Sequence, residues 1–208
     1  MIKAVIFDVD GTLLDSFEAN LKFFQDLMAA AGYAMLTREQ YQVMYHMNMR
    51  AVIEMLLQFV SQDEIERVWK LGRSRAVAYP LQLVHMSEGT AETIEILSER
   101  YLLGIATSRL KENVYEVSEL AALRRYFRVT IGYEDTLEHK PDPAPLLLAA
   151  WRLGVSPEES VYVGDAPTDL QAARAAGMKM ILYSKHPVAG ADAATDSFVR
   201  LPEFLVSL

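Results

Sequence analysis

Residues 4–12 read AVIFDVDGT, an apolar run that stops at two aspartates separated by one residue. Four consecutive apolar residues followed by a polar turn with glycine are typical of a buried strand. Side chains alternate along an extended chain, so the spacing directs Asp8 and Asp10 to a similar side. We therefore expect a strand over Ala4–Phe7 that carries two carboxylates at its carboxyl end.

The chain after Gly89 alternates between strand and helix patterns, which predicts a parallel sheet covered on both faces. Strands are expected at Leu102–Ala106, Phe127–Ile131, Val161–Val163 and Met178–Tyr183, with an edge strand at Ser197–Val199. Helices are expected at Ala91–Arg100, at Lys111–Leu123, from Asp142-Pro143 to Leu153, and from Thr168 to Gly177.

The segment from Asp15 to Pro80 shows helix patterns and no convincing strand. Capping-box spacings predict helix starts at three pairs: Asp15 with Glu18, Thr37 with Gln40, and Ser61 with Glu64. The fold class expected is therefore α/β, with a doubly wound, Rossmann-like parallel-sheet core formed by residues 1–14 and 85–208. Residues 15–84 are expected to form an inserted all-helical domain.

Composition restricts the chemistry that the chain can perform. Lys and Arg number 20 against 28 Asp and Glu, and the net charge of −8 argues against nucleic-acid binding. The absence of cysteine excludes disulfides, thiol nucleophiles and thiolate zinc sites. The 4 histidines lack the spacing of a zinc-binding helix. Carboxylates are thus the expected catalytic groups.

Membrane association is not expected, because charges interrupt every apolar run before the ~18 residues that a spanning helix needs. The apolar run that ends before Asp8 is also too short for the core of a signal peptide. We expect a cytoplasmic protein that acts as a monomer or homodimer.

Polar side chains follow the carboxyl ends of the other expected strands, where reactive groups of open α/β sheets collect. These are Thr107, Ser108, Lys140, Asp165 and Asp169. Carboxylates brought together repel one another unless a cation neutralises them, and Mg²⁺ prefers such oxygen ligands. A phosphorylated substrate would place one phosphoryl oxygen on such a cation. Lys140 and the hydroxyls of Thr107 and Ser108 would then bind the other oxygens of the phosphoryl group.

The motif DVDGTLLDS at residues 8–16 resembles the first motif of the haloacid dehalogenase-like (HAD) phosphohydrolases. Thr107-Ser108 resembles the second motif, Lys140-Pro141 the third, and Gly164-Asp165 with Asp169 the fourth. The helical insert resembles the cap of the branch that contains phosphoglycolate phosphatases, β-phosphoglucomutases and a pyrophosphatase. The resemblance covers essentially the whole chain.

The resemblance implies a role for each catalytic and metal-binding residue. Asp8 would attack phosphorus and become an aspartyl phosphate, while Asp10 would protonate the leaving alkoxide and later deprotonate water. Mg²⁺ would be held by Asp8, the backbone carbonyl of Asp10, and Asp165. Asp169 would not bind the ion directly but would support the residues that do.

Substrate binding is implied for Thr107, Ser108 and Lys140, which would contact phosphate oxygens. In the cap, Arg50 is a candidate for a second anionic group of the substrate, although charged residues at helix ends are usually just solvated. The expected function is Mg²⁺-dependent hydrolysis of a small phosphorylated metabolite.

Other functions stay open at this point. Pyrophosphatase or phosphosugar mutase activity would use the same residues. A 2-haloacid dehalogenase also uses an aspartate nucleophile, but it has no alkoxide to protonate and needs no Mg²⁺. A non-hydrolytic phosphoacceptor domain would hold the phosphoryl group on its aspartate without turnover, and a non-catalytic scaffold is the last alternative.

Overall fold

The computed structural model describes residues 1–184 and 189–208. Its strands are β1 (Ala4–Phe7), β2 (Leu14–Asp15), β3 (His85–Met86), β4 (Leu102–Ala106), β5 (Phe127–Ile131), β6 (Ser160–Gly164), β7 (Lys179–Tyr183) and β8 (Ala193–Thr195). Its α-helices are α1 (Phe17–Ala30), α2 (Arg38–Met44), α3 (Met49–Leu56), α4 (Gln62–Arg73), α5 (Thr90–Ser98), α6 (Ser118–Ala122), α7 (Ala144–Leu153), α8 (Pro167–Ala176) and α9 (Leu201–Ser207). Short 3-10 helices lie at Leu81–Leu83, Lys111–Asn113, Arg124–Tyr126, Tyr133–Asp135, Pro157–Glu159 and Phe198–Arg200.

The chain forms two compact units. The first, called here the core unit, contains Met1–Asp15 and Met86–Leu208, and the second, called the helical unit, contains Ser16–His85. Helices α1 to α4 lie in the helical unit, and the large sheet lies in the core unit.

The core unit is built on a six-stranded sheet in the order β5-β4-β1-β6-β7-β8. Each neighbouring pair of strands is parallel. Strand β1 lies inside the sheet and all four of its residues are buried, which explains its continuous apolar sequence. The α/β fold class predicted from the sequence is confirmed, and β4 and β5 have the predicted bounds.

One apolar cluster of the core unit lies between the sheet and helices α7 and α8. It contains Ile6 and Tyr162 from the strands, and Leu146, Ala149, Ala172 and Ala173 from the helices. Alanines on both helices let the backbones approach the sheet closely. Both helices end at a glycine, Gly154 or Gly177, in the left-handed conformation that glycine adopts without steric cost.

Two elements of the core unit differ from the sequence-based predictions. The helix predicted at Lys111–Leu123 is reduced to a 3-10 turn and the short α6. Here β-branched Val114 and Val117 are buried, and the Tyr115 hydroxyl bonds to Thr130 Oγ1 in β5, so packing overrides the helical spacing. The predicted edge strand at Ser197–Val199 is wrong, because β8 at Ala193–Thr195 pairs with β7 instead.

The helical unit has its own apolar core, in which the largest fully buried side chains are Tyr41, Leu27 and Ile53. The capping box of Thr37 and Gln40 is confirmed, and Ser61 caps α4 by accepting a hydrogen bond from the Glu64 amide. The predicted box at Asp15 is wrong, because Asp15 belongs to β2 and α1 begins after Ser16. Across residues 1–184 and 189–208, every helix is too short or too polar to span a bilayer.

Candidate active site

Three neighbouring strands of the core unit bring their carboxyl ends to one edge of the sheet. In the register of β1, Phe7 lies beside Ile105 of β4 and Val163 of β6. The residues that follow these strands therefore face one another, namely Asp8 after β1, Thr107 after β4 and Asp165 after β6. Asp8 still belongs to the sheet hydrogen bonding, because its amide donates to the Val163 carbonyl at 2.9 Å.

A buried lysine joins two of the acidic residues. Lys140 Nζ lies 3.0 Å from Asp8 Oδ2 and 2.7 Å from Asp169 Oδ1. The three side chains are 5%, 10% and 0% exposed, respectively, so the charges are removed from water. Burying charges is unfavourable unless they are paired and hydrogen-bonded, and here each one is adjacent to an opposite charge.

Tyr162 completes the surroundings of Lys140. Its hydroxyl lies 3.0 Å from Lys140 Nζ and donates a hydrogen bond of 2.8 Å to the Ala106 carbonyl. Three acceptors therefore surround the lysine ammonium group, which carries three donors. Sequence reasoning missed Tyr162; the available signal was a hydroxyl-bearing aromatic residue between two valines in the centre of the buried strand β6.

Asp169 is held at the start of α8 by backbone donors. Its Oδ2 accepts hydrogen bonds from the amides of Asp165 at 3.1 Å and Ala166 at 3.0 Å. A carboxylate at this position also interacts favourably with the positive end of the helix dipole. Both oxygens of Asp169 are thus occupied within the protein, one by backbone amides and one by Lys140.

Two glycines make room for the site carboxylates. Gly11 has a φ of 77°, and a Cβ atom there would overlap the carboxylate of Asp165. A Cβ atom on Gly164 would overlap the carboxylate of Asp169. The turn after β1 and the end of β6 can therefore approach these carboxylates only because both residues lack a side chain.

Burial and mutual repulsion change the protonation of this cluster. Burial raises the pKa of Asp8 to about 7; the positive charge of Lys140 opposes this rise, and the charges of Asp169 and Asp10 reinforce it. Burial also raises the pKa of Asp165 well above its usual range, with Asp169 and Asp8 adding to the effect. Burial alone would lower the pKa of Lys140, but Asp169 and Asp8 hold it well above its usual value.

The acidic cluster has the composition of a divalent-cation site. Single carboxylate oxygens of Asp8, Asp165 and Asp169 lie within 4.8 Å of one another. Asp8 Oδ1 is buried and has no hydrogen-bond partner within residues 1–184 and 189–208. An unpaired buried carboxylate oxygen is costly, and an all-oxygen donor set suits Mg²⁺. The residues present therefore fit this cation.

The Asp10 carboxylate is held by Arg109. The guanidinium group makes a two-pronged ion pair, with Nε 2.7 Å from Oδ2 and Nη2 2.7 Å from Oδ1. With Asp8, Asp165 and Asp169, the site contains four carboxylates against the two cations Lys140 and Arg109. Two negative formal charges are left among these groups, which matches the charge of one divalent cation.

The two hydroxyl residues after β4 differ in exposure. Thr107 is buried, its amide donates to the Ile131 carbonyl, and its Oγ1 accepts a hydrogen bond of 3.3 Å from the Arg109 amide. Ser108 is exposed at the same edge of the sheet. Thr12, which sequence reasoning did not assign to the site, is buried and donates to Asp165 Oδ1 at 3.2 Å.

Arg50 belongs to the helical unit, and its contacts there are with neighbouring side chains. It forms ion pairs with Glu54 at 3.0 Å and Glu66 at 2.7 Å, and its guanidinium lies 5.5 Å from the centre of the Trp69 ring. The sequence-predicted residues of the core unit, by contrast, meet at one edge of the sheet.

Similarity to known proteins identifies the family. The family model described as "Haloacid dehalogenase-like hydrolase" matches residues 5–183. A phosphoglycolate phosphatase of Xylella fastidiosa is 30% identical over 98% of this chain and 91% of its own length. The pyrophosphatase PpaX of Bacillus pumilus is 28% identical over 86% of this chain and 81% of its own length.

A solved structure supports the same conclusion. CbbY from Rhodobacter sphaeroides, crystallised in complex with phosphate, is 29% identical, has a TM-score of 0.82, and aligns over 97% of this chain and 96% of that one. The fold, the clustered aspartates and these likenesses agree with one another. The chain is a hydrolase and belongs to the haloacid dehalogenase-like family.

Proposed function

We propose that this protein is a Mg²⁺-dependent phosphatase that hydrolyses a small phosphorylated metabolite through an aspartyl phosphate on Asp8. The observation that carries the proposal is the buried Asp8 carboxylate, which has one oxygen beside Lys140 and the other without a partner among the residues that the structure describes. A carboxylate held in this way has a fixed orientation and an oxygen available for a cation or for attack on phosphorus. The names of the phosphoglycolate phosphatase and pyrophosphatase relatives support the substrate class.

The proposed metal ligands are Asp8, Asp165 and the backbone carbonyl of Asp10. When bound, Mg²⁺ supplies the positive charge that lets an anionic nucleophile approach an anionic phosphoryl group. Asp169 is proposed to support the metal site without binding the ion, because its oxygens already contact Lys140 and the backbone amides before α8.

In the first proposed step, an Asp8 oxygen forms a bond to phosphorus while the bond between phosphorus and the leaving oxygen breaks. Asp10 gives its proton to that leaving oxygen. In the second step, water attacks phosphorus, Asp10 takes a proton from the water, and the bond between phosphorus and Asp8 breaks. Inorganic phosphate leaves, and both aspartates return to their starting protonation states.

The positively charged and hydroxyl side chains are proposed to orient the phosphoryl group. Lys140, Thr107 and Ser108 would donate hydrogen bonds to its non-reacting oxygens and stabilise the charge that develops there. We further propose that residues 15–84 act as the cap and that Arg50 binds a second anionic group of the substrate. From the sequence we expect a cytoplasmic location and a monomeric or homodimeric state.

Pyrophosphate hydrolysis is the second candidate, and the likeness to the PpaX protein favours it. Both candidates use the same nucleophile and cation, and they differ in the leaving group. Inorganic phosphate is a better leaving group than an alkoxide, so pyrophosphate hydrolysis would depend less on proton donation by Asp10.

The test is a screen of phosphorylated metabolites that includes 2-phosphoglycolate and pyrophosphate, with Mg²⁺ or with EDTA. We expect Mg²⁺-dependent phosphate release, and a loss of more than about 10³-fold in kcat for Asp8→Asn. Asp192→Asn is the matched control, because Asp192 pairs with Lys179 at the surface of the same unit. Near-normal turnover by Asp8→Asn would contradict the proposal, as would metal-independent activity on 2-haloacids or phosphorylation without release.

A further inference from the structure

We propose that Ser87 is a positioning residue for the cation site, because it fixes the turn whose Thr12 hydroxyl orients Asp165. This role rests on the proposed function in one respect, since it takes Asp165 to be a ligand of Mg²⁺. Ser87 belongs to none of the four motifs and follows β3 directly in the chain. The observations are a chain of hydrogen bonds and the close packing of the turn against Asp165.

Two hydrogen bonds attach Ser87 to the turn after β1. The Ser87 hydroxyl donates to the Thr12 carbonyl at 2.7 Å, and the Ser87 amide donates to the Leu13 carbonyl at 3.1 Å. Because the two acceptors are consecutive in the chain, the bonds fix the direction of the backbone as well as its position. The Ser87 carbonyl in turn accepts a hydrogen bond of 3.2 Å from the Thr90 amide. Ser87 therefore ties the turn to the first residue of α5.

Thr12 passes this constraint on to Asp165. The Thr12 side chain is fully buried, and its hydroxyl donates to Asp165 Oδ1 at 3.2 Å. A β-branched side chain has few rotamers, so the position of this hydroxyl follows the backbone that Ser87 holds. The turn also packs directly against the Asp165 carboxylate, since a Cβ atom on Gly11 would overlap it. A shift of the turn would therefore weaken the hydrogen bond to Asp165.

A carboxylate whose orientation is already fixed binds a cation more tightly than one that must reorient. Groups that hold a metal ligand in place contribute to metal affinity, and their removal typically costs about 10- to 100-fold. Thr12 is such a partner of Asp165. Ser87 acts on Thr12 through the backbone, so we expect a smaller effect at Ser87. The hydrogen bonds thus connect a segment outside the acidic cluster to the affinity of the cation site.

The test is a set of metal titrations on the whole chain. Mn²⁺ prefers the same oxygen ligands as Mg²⁺, and its unbound fraction is measured by electron paramagnetic resonance. Thr12→Val should raise the dissociation constant about 10-fold or more. Ser87→Ala should raise it about 3- to 10-fold in the wild-type background but less than about twofold in Thr12→Val, because the path through the hydroxyl is already lost. Ser87→Thr keeps a hydroxyl and should retain the wild-type affinity.

Ser160→Ala is the matched control. The Ser160 hydroxyl also donates to a backbone carbonyl, that of Ser156, at 3.0 Å in the core unit. Ser160 begins β6, and Asp165 follows the other end of the same strand. Ser160→Ala should therefore leave the dissociation constant unchanged. Thermal melting in EDTA reports the stability of each variant. If Ser87→Ala does not fold, Ser87→Cys takes its place, since a thiol of similar size is only a weak donor.

Three results would overturn this role. An unchanged dissociation constant in Ser87→Ala, with or without a lower melting temperature, would leave Ser87 a structural role only. Equal effects of Ser87→Ala in the wild-type and Thr12→Val backgrounds would show that Thr12 does not transmit the constraint. A loss of affinity in Ser87→Thr as large as in Ser87→Ala would show that the hydroxyl is not responsible.

Failure of the proposed function gives a different pattern. A wild type that binds no Mn²⁺ would contradict the cation site itself, and the role of Ser87 would fail with it. A wild type that binds Mn²⁺ but releases no phosphate from any substrate would contradict only the proposed function. In that case the titrations still decide whether Ser87 orients Asp165 through Thr12.

Discussion

The core unit and the helical unit each contain a network of charged side chains, but they place those charges in different surroundings. In the core unit, Lys140 and Asp169 are buried almost completely. In the helical unit, Arg67 and Glu64 form an ion pair at 2.7 Å while 49% and 29% exposed. Exposed pairs contribute little to stability, whereas buried charges are costly and persist only in well-paired arrangements. The difference supports the proposed catalytic role of the charged network in the core unit.

Removal of Lys140 should produce the largest effect. Lys140→Met leaves Asp8 and Asp169 without their positive partner in a buried site, so we expect the free energy of unfolding to fall by about 3 to 5 kcal/mol, measured by urea denaturation with EDTA. Lys179→Met is the control, because Lys179 pairs with Asp192 at the surface and should change stability by less than about 1 kcal/mol. Equal effects of the two substitutions would remove the distinction between buried and exposed pairs.

Metal binding should stabilise the core unit through its acidic cluster. At 100 times its dissociation constant, Mg²⁺ adds about 2.7 kcal/mol to the free energy of unfolding. For a chain of this length, that corresponds to a rise of about 5 to 10 °C in melting temperature. Asp165→Asn should lose most of this shift, and Asp192→Asn should keep it. A full shift in Asp165→Asn would place the cation elsewhere.

The Tyr162 hydroxyl should have an intermediate effect. Tyr162→Phe leaves a donor of Lys140 and the Ala106 carbonyl without their partner in a buried site, so we expect a loss of about 1 to 3 kcal/mol in urea denaturation. Tyr115→Phe removes a hydroxyl that contacts Thr130 and serves as the control, with an expected loss of about 1 kcal/mol. A smaller loss at Tyr162 than at Tyr115 would show that the Lys140 network does not depend on this hydroxyl.

The helical unit should show the smallest effect, and only in acid. Hydrogen bonds from Arg67 and Tyr33 lower the pKa of Glu64 to about 2 from its usual 4.5. A carboxyl whose pKa is lower in the folded state stabilises the fold above its unfolded pKa, and this contribution is lost as the pH falls toward 2. Glu64→Gln should therefore flatten the acid side of the stability profile, measured by thermal melting from pH 6 down to about pH 2. Profiles that coincide would show that the pair does not contribute.

Sequence patterns predicted the parts of the fold that depend on local order. Strands β4 and β5 were predicted with the observed bounds, because short apolar runs between turn residues specify buried strands. The segment Lys111–Leu123 was predicted incorrectly. The hydrogen bond of Tyr115 to Thr130 and the burial of Val114 and Val117 depend on tertiary packing, which the helical spacing does not reveal. The edge strand β8 has an intermediate burial pattern and carried no strong apolar signal.

The candidate site was predictable where its residues follow strands, as with Asp8, Thr107 and Asp165. Two other contacts within the site were not predictable. The contact of Tyr162 with Lys140 and the contact of Arg109 with Asp10 join residues that are 22 and 99 positions apart. Such contacts depend on the strand order and on the loop between β5 and α7, which sequence periodicity does not specify.

Chemical trapping of the covalent intermediate would show whether Asp8 carries the phosphoryl group during turnover. Wild-type protein is mixed with substrate and Mg²⁺, quenched in acid, reduced with borohydride and digested for peptide mass spectrometry. If Asp8 is the nucleophile, residue 8 is recovered as the reduced alcohol, homoserine, only when both substrate and Mg²⁺ are present. Unmodified Asp8 in samples that release phosphate, or modification at another aspartate, would contradict this assignment.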